Sequence, residues 1–384
     1  MSLRFTPLLV GVSTLLALPA AMAAERVQVV TSFSILADMV ENVGGEHVEV
    51  NSLVGPDGDT HVYSPRPGDA RALAEADLVV FNGLLLEGWM DRLLDASDYQ
   101  GQLVTATDGI EALDYHPHDH SGEHAHDSDE AHDHSHEHAH GSDEAHDHSH
   151  EHAHDSGEAH DHSHEHAHDS DSDEAHEHDH VHGDQDPHAW QDMAQAEVYI
   201  TNIRDGLIDA DEANADDYRA NAERYLAEMA ELDGELRTLL EDVPASATVI
   251  TGHDSFGYFA NAYGVRFLSP YGLSTEVEPS GASMASLVDV INDENVQALF
   301  HENMTNPSVI EQLAEETGLE IKGTLYADAL ASEGPASTYL GMMRHNAELL
   351  HDALAQAGDA ELAHDHSHDH AHEHEHEHEH EHSH

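Results

Sequence analysis

Apolar residues along this chain fall into two alternating patterns. Compact aliphatic runs occur at Val27 to Thr31, Val48 to Leu53 and Leu78 to Phe81. Runs this short and this continuously apolar predict strands buried on both faces. Between the first two, Ser34 to Val43 has its apolar residues at helical spacing. Pro67 to Ala76 predicts another helix, opened by a proline at its first position. From Asn214 to Val243 the apolar positions are Tyr218, Ala222, Tyr225, Leu226, Met229, Leu232, Leu236, Leu239 and Val243. That period, held over many turns, predicts one long helix. The second half repeats the alternation. Strands are expected at Thr248 to Thr251, Val265 to Leu268, Ala298 to Phe300 and Glu320 to Leu325. Helices are expected at Ser255 to Tyr263, Ser283 to Asn292, Pro307 to Thr317 and about Thr338 to Ala355. Strands that alternate with helices form parallel sheets covered by helices. The expected fold is therefore α/β, with two lobes joined by one long connecting helix and a ligand cleft between them. The lobes span 25–213 and 244–358, and the connecting helix spans 214–243.

Two stretches break this pattern. Of 42 histidines, 24 lie between His116 and His182, and 11 between His364 and His384. The decapeptide AHDHSHEHAH starts at Ala131 and recurs at Ala145 and Ala159, a period of 14 residues. No repeat has an apolar face to bury, so 115–186 reads as a disordered insert in the first lobe and 359–384 as a His-rich tail. Imidazoles and carboxylates alternate throughout, and both are ligands for divalent transition metals. The competing reading is a merely solvated acidic linker.

Charge narrows the functional classes. The formal net charge is −67. Without residues 1–24 and the two tracts, 11 basic and 47 acidic residues remain, a charge near −36. Such a surface repels nucleic acid and anionic lipid and attracts cations. At the N-terminus, Arg4, the short apolar core from Leu8 to Ala20 and the Ala21-Met22-Ala23 pattern predict an export signal cleaved near Ala23 or Ala24. There is no cysteine, so neither a disulfide nor a lipidated cysteine is available.

Four residues then become candidates for chemistry: His61 in GDTHVY, His188 in DPHAW, His253 in TGHDSF and Asp328 in LYADAL. His61, His253 and Asp328 follow expected strands, where open α/β sheets place ligands. Three imidazoles and a carboxylate are a tetrahedral Zn2+ shell. Taken singly, each His has a structural reading as a hydrogen-bonded strand-end residue, and Asp328 one as a helix cap or turn. His301 and Glu302 are expected at the end of a strand in LFHEN and Glu278 in TEVEPS, each read as an ordinary loop residue with orientation of a ligand as the alternative. Trp190 is expected to pack, His345 and His351 to lie on the surface of the last helix, and His47 to occupy a turn.

The segments from Gly55 to Leu94, DPHAWQDM, TGHDSFGYFANAYG and LYADALASEGPASTYLGMMRHNAELL resemble the zinc-binding periplasmic proteins of ABC importers, the cluster 9 or A-I metal receptors. They occur in the family's order and cover nearly all of the mature chain outside the His tracts. The resemblance implies two α/β lobes joined by a long helix, with Zn2+ as the transported ligand held between them by His61, His188, His253 and Asp328. It also implies a periplasmic location, an ABC membrane permease as partner, a periplasmic metallochaperone as a further candidate partner, and a monomer. A His-rich loop before the second ligand is common among zinc-specific members. This chain departs from some of them by carrying Thr60, where an acidic residue precedes the first His, and by lacking a second-lobe disulfide. Manganese-type relatives tend to have a carboxylate at the third position, where this chain has His253, and imidazole there favours zinc.

The resulting expectation is a receptor with one tight site and the His-rich loop as an auxiliary low-affinity collector or sensor. The alternatives are a periplasmic zinc buffer or chaperone, and a receptor for another divalent metal such as Mn2+. Catalysis is not expected. Four ligands close the shell that a catalytic zinc keeps open, and no HExxH, GxSxG or P-loop motif is present.

Overall fold

The structure, a computed structural model, describes residues 26–115, 185–294 and 296–365, with side chains described as far as residue 355. The expectations for the export signal, for 116–184 and for the tail from 366 fall outside the described residues.

Two four-stranded parallel sheets organise the described residues. The first consists of β1 (Val27–Phe33), β2 (Val48–Val54), β3 (Leu78–Phe81) and β4 (Gln102–Thr105), in the order β2-β1-β3-β4. The second consists of β5 (Thr248–Ile250), β6 (Arg266–Leu268), β7 (Ala298–Glu302) and β8 (Ile321–Leu325), in the order β6-β5-β7-β8. Both sheets thus use one winding, and this is the α/β two-lobe architecture expected from the alternating pattern. β1 is buried at six of its seven positions, which is why it reads as an unbroken apolar run.

The helices of the first lobe are α1 (Ser34–Gly44), α2 (Pro67–Glu75), α3 (Met90–Ser97) and α4 (Met193–Ala210). α4 is capped by Asp192, whose carboxylate accepts the Ala194 N–H at 2.9 Å. It lies on β4 at Gly206, where a Cβ would come within 2.4 Å of Val104. Next comes α5 (Ala215–Leu240), then α6 (Gly257–Tyr263), α7 (Gly281–Asp293), α8 (Pro307–Thr317) and α9 (Tyr339–Asp365). α9 runs ten residues beyond Ala355, into the segment assigned from sequence to the tail. The hydrophobic pattern alone does not predict α3, α4 and β4. α3 and β4 are short, and the buried face of α4 includes Ala196 and Gly206, so its apolar contrast is weak.

α5 buries one stripe, Tyr218, Ala222, Tyr225, Met229, Leu232, Leu236 and Leu240, against α1, α4 and α9. One continuous core runs from Val29 and Phe33 in the first sheet through this stripe to Phe256, Phe267, Leu325 and Met343 in the second half. A smaller cluster around Leu287, Leu299 and Leu313 covers the other face of the second sheet. Asp114 and Gln185 form an antiparallel bridge, so the chain on either side of 116–184 is paired.

Candidate metal centre

Four loops converge between the sheets, each delivering one of the sequence-derived candidates. His61 lies between β2 and α2, His188 just before the turn that leads into α4, His253 between β5 and α6, and Asp328 after β8. All four are buried, and their ligand atoms lie within 4.8 Å of one another. Nε2 of His61 is 3.1 Å and Nε2 of His253 is 3.0 Å from Oδ2 of Asp328. Nε2 of His188 is 3.6 Å from Oδ1. The Nε2 atoms of His188 and His61 are 3.4 Å apart.

Carboxylates behind two of the rings fix which nitrogen faces inward. Asp186 Oδ1 accepts the backbone N–H of His188 at 2.9 Å and faces its Nδ1 at 2.7 Å. Glu302 Oε1 accepts the backbone N–H of His253 at 3.0 Å, and Oε2 faces Nδ1 at 2.5 Å. A carboxylate at Nδ1 holds the proton there and leaves Nε2 as a lone-pair donor. His61 is placed through its backbone, whose N–H donates to Asp59 Oδ1 at 2.9 Å. The repeated Asp-x-His spacing at Asp59–His61 and Asp186–His188 is the sequence signal that could have identified these two acids.

The cluster is poorly satisfied by its own hydrogen bonds. Asp328 Oδ1 and His253 Nε2 are buried without a hydrogen-bond partner, although Nε2 lies 3.0 Å from Oδ2. The two meet as an ion-pair contact. Lone pairs that crowd one point in this way suit a shared cation better than one another. Burial pulls the basicity of His61 down, and this outweighs the Asp328 carboxylate. Burial acts the same way on His253, but Glu302 and Asp328 overcome it and hold the ring well above the ordinary imidazole value. Burial would raise Asp328, yet His253 and His188 hold it well below the usual carboxylate range. The metal-free cluster therefore keeps a proton on His253 opposite a charged Asp328.

The Asp328 loop is tied to the first lobe. The Ala327 carbonyl accepts from Trp190 Nε1 at 2.9 Å and from Gln191 Nε2 at 3.0 Å. Trp190, expected only to pack, thus also anchors this loop. Asp57, held at φ 57°, donates its N–H to the Leu330 carbonyl at 2.9 Å. Its carboxylate accepts from Asn303 Nδ2 at 3.0 Å and from the Ser332 N–H at 3.2 Å. Asp59 Oδ2 accepts from the Thr275 hydroxyl at 2.6 Å.

Some secondary expectations hold and others are corrected. His301 and Glu302 stand at the end of a strand, β7, as expected, but Glu302 is no ordinary loop residue and supports His253 directly. Glu278 is exposed, bonded to the Tyr271 hydroxyl and outside the cluster. His345 is half-buried, with Nε2 3.1 Å from the Thr324 carbonyl, and His351 is half-buried as well. His47 occupies a short turn and meets Asp217 at 3.0 Å.

The sequence profile of the family described as zinc-uptake complex component A, periplasmic, matches residues 29–353. The manganese-binding lipoprotein MntA of Halalkalibacterium halodurans is 28% identical over 335 residues, covering 86% of this chain and 90% of that protein. The iron-binding protein YfeA of Yersinia pestis is 25% identical over 336 residues, covering 87% and 88%. Among solved structures, the periplasmic zinc-binding protein TroA from Treponema pallidum superposes with a TM-score of 0.66 at 22% identity, covering 85% of this chain and 99% of that one. That likeness establishes the shared fold.

Proposed function

The chain belongs to the periplasmic zinc-uptake component A family, and from that premise we propose that it captures Zn2+ and passes it to an ABC permease. It is a metal-binding receptor of an ABC importer and not an enzyme. Its similar proteins are named for manganese, iron and zinc, so the choice of metal is argued from the ligand set. The observation that carries the proposal is the buried convergence of His61, His188, His253 and Asp328 within 4.8 Å. Three neutral nitrogens and one carboxylate oxygen suit Zn2+, whereas a harder, oxygen-rich shell suits Mn2+. A bound dication would take over from the proton on His253 as the partner of the buried Asp328 charge. The His-rich segment would serve as a low-affinity collector.

Zinc titration of the mature protein tests this, alongside His188→Ala and a deletion of 116–182. One tight site retained in the deletion and lost in His188→Ala is the expected result. Tight binding that vanishes with the deletion and survives His188→Ala would make the chain a zinc buffer. Competition with Mn2+ at the same site addresses the second reading, which the manganese-binding relative favours. Tighter binding of Mn2+ than Zn2+ would overturn the zinc assignment.

A further inference from the structure

Eleven of the twelve basic residues lie in the described part of the chain. Seven of them are ion-paired: Arg204, Arg219, Arg224, Arg237, Arg266, Lys322 and Arg344. Among the described residues, Arg26, Arg66, Arg71 and Arg92 have no ion-pair partner. Three of these four stand together, Arg66 capping α2, Arg71 within α2 and Arg92 within the adjoining α3. On a body whose charge is near −36, acids are available to almost every cation. α2 and α3 also carry Asp69, Glu75, Asp91 and Asp95, yet the arginines make no ion pair with them, and the cavity beside Arg66 and Arg92 has no acid in its lining.

Arg66 and Arg92 line an open cavity of about 580 Å³, walled by Tyr63, Pro65, Trp89 and Leu93. Tyr63 and Trp89 pack edge to face with ring centroids 5.1 Å apart, giving the cavity a rigid aromatic wall. The nearby Asp69 carboxylate is already used, accepting from the Tyr63 hydroxyl at 2.9 Å and from the Arg66 N–H at 2.6 Å. Arginine, tryptophan and tyrosine around an apolar pocket make up the composition of an interface anchor point.

We propose that this cavity is a docking site for an acidic segment of the importer's membrane permease. A carboxylate side chain would enter between Arg66 and Arg92 with its apolar stem against Trp89 and Leu93. The inference rests on the importer reading above. Charge complementarity selects an acidic partner. The concave, aromatic-walled shape selects an inserted side chain over a flat anionic lipid surface, from which the body as a whole is repelled. One residue of the cavity wall is hydrogen-bonded to the loop that carries His61. Trp89 Nε1 donates to the carbonyl of Thr60 at 2.8 Å, one residue before His61. Docking there is felt at a metal ligand, and by linkage metal occupancy is felt in docking.

The test measures binding of the full mature protein to proteoliposomes that carry its cognate permease, and to permease-free vesicles rich in anionic lipid. The double variant Arg66→Glu/Arg92→Glu is compared with Arg219→Glu/Arg224→Glu, which makes the same change in net charge on α5. Zinc titration confirms that each variant is folded. The cavity variant is expected to dock at least about tenfold more weakly, with the α5 variant within about threefold of wild type. The milder Arg66→Gln/Arg92→Gln should fall between them. Equal losses in the two charge-reversed variants would overturn the proposal, since that is general repulsion and not a site. Equally strong, arginine-dependent binding to permease-free vesicles would overturn it in favour of lipid. Wild type that binds zinc but never docks on permease vesicles would remove the importer reading and this inference together.

Discussion

Glu302 and Asp186 hold their histidines with different atoms, and the difference has a measurable consequence. Glu302 uses two oxygens, Oε1 for the His253 backbone N–H at 3.0 Å and Oε2 for Nδ1 at 2.5 Å. Glu302→Gln leaves one oxygen. If that oxygen stays with the backbone, the amide NH2 faces Nδ1, turns it into an acceptor and moves the proton to Nε2, the metal-facing nitrogen. If the amide flips, the backbone N–H is left buried without an acceptor. Asp186 uses Oδ1 alone for both N–H groups of His188, at 2.9 and 2.7 Å. In Asp186→Asn the remaining oxygen can keep both. Loss of a carboxylate behind a metal-ligating histidine costs roughly ten- to a hundredfold in affinity, or about 1.4 to 2.8 kcal/mol. Glu302→Gln is therefore expected to weaken zinc by roughly that factor, and Asp186→Asn by no more than about threefold, since its hydrogen bonds can survive. Competition against a chromophoric chelator reads both constants, with circular dichroism to establish that each variant is folded. Equal effects, or a Glu302→Gln protein within twofold of wild type, would refute the tautomer argument.

Three further outcomes are expected. His253 is held above its ordinary value in the metal-free state, so the free site binds more protons than the loaded one. Zinc binding at pH 7 should release close to one proton, and affinity should fall as pH falls, by up to about tenfold per unit; binding heats that are identical in buffers of different ionisation enthalpy would contradict this. His253→Asp, which makes the shell richer in oxygen, should narrow the preference for Zn2+ over Mn2+, and an unchanged ratio of the two affinities would show that this ring does not set selectivity. Gly206→Ala should destabilise the fold by about 1 to 2 kcal/mol, because overpacking against Val104 exceeds the gain in helix propensity; chemical denaturation with a midpoint at or above that of wild type would disprove the close approach of α4 to β4.

Most of the fold was legible because its strands are buried on both faces and its helices on one. β1 and the stripe of α5 announce themselves by periodicity alone. α4 did not, since close packing on β4 requires Gly206 and leaves little apolar contrast to read. Consecutive members of the cluster lie 65 to 127 positions apart in the chain, so no local spacing links them, and family resemblance supplied what periodicity could not. The acids behind the histidines were harder still. Glu302 reads as a polar strand end, and only the fold reveals that its carboxylate is buried against His253.

The core shared by the two sheets bears on time as well as strength. Halves joined through α5 and α9 and laced by Asp57 and Asp59 would have to break these contacts to open wide. Spontaneous escape of the metal must wait for rare local loosening of these loops. Residence should accordingly be long, and exchange into a chelator first order and independent of chelator concentration. A receptor that released its metal so slowly would need help to give it up. Turnover then requires an outside agent that pries at particular loops, and the direction of transport is set where and when that agent acts.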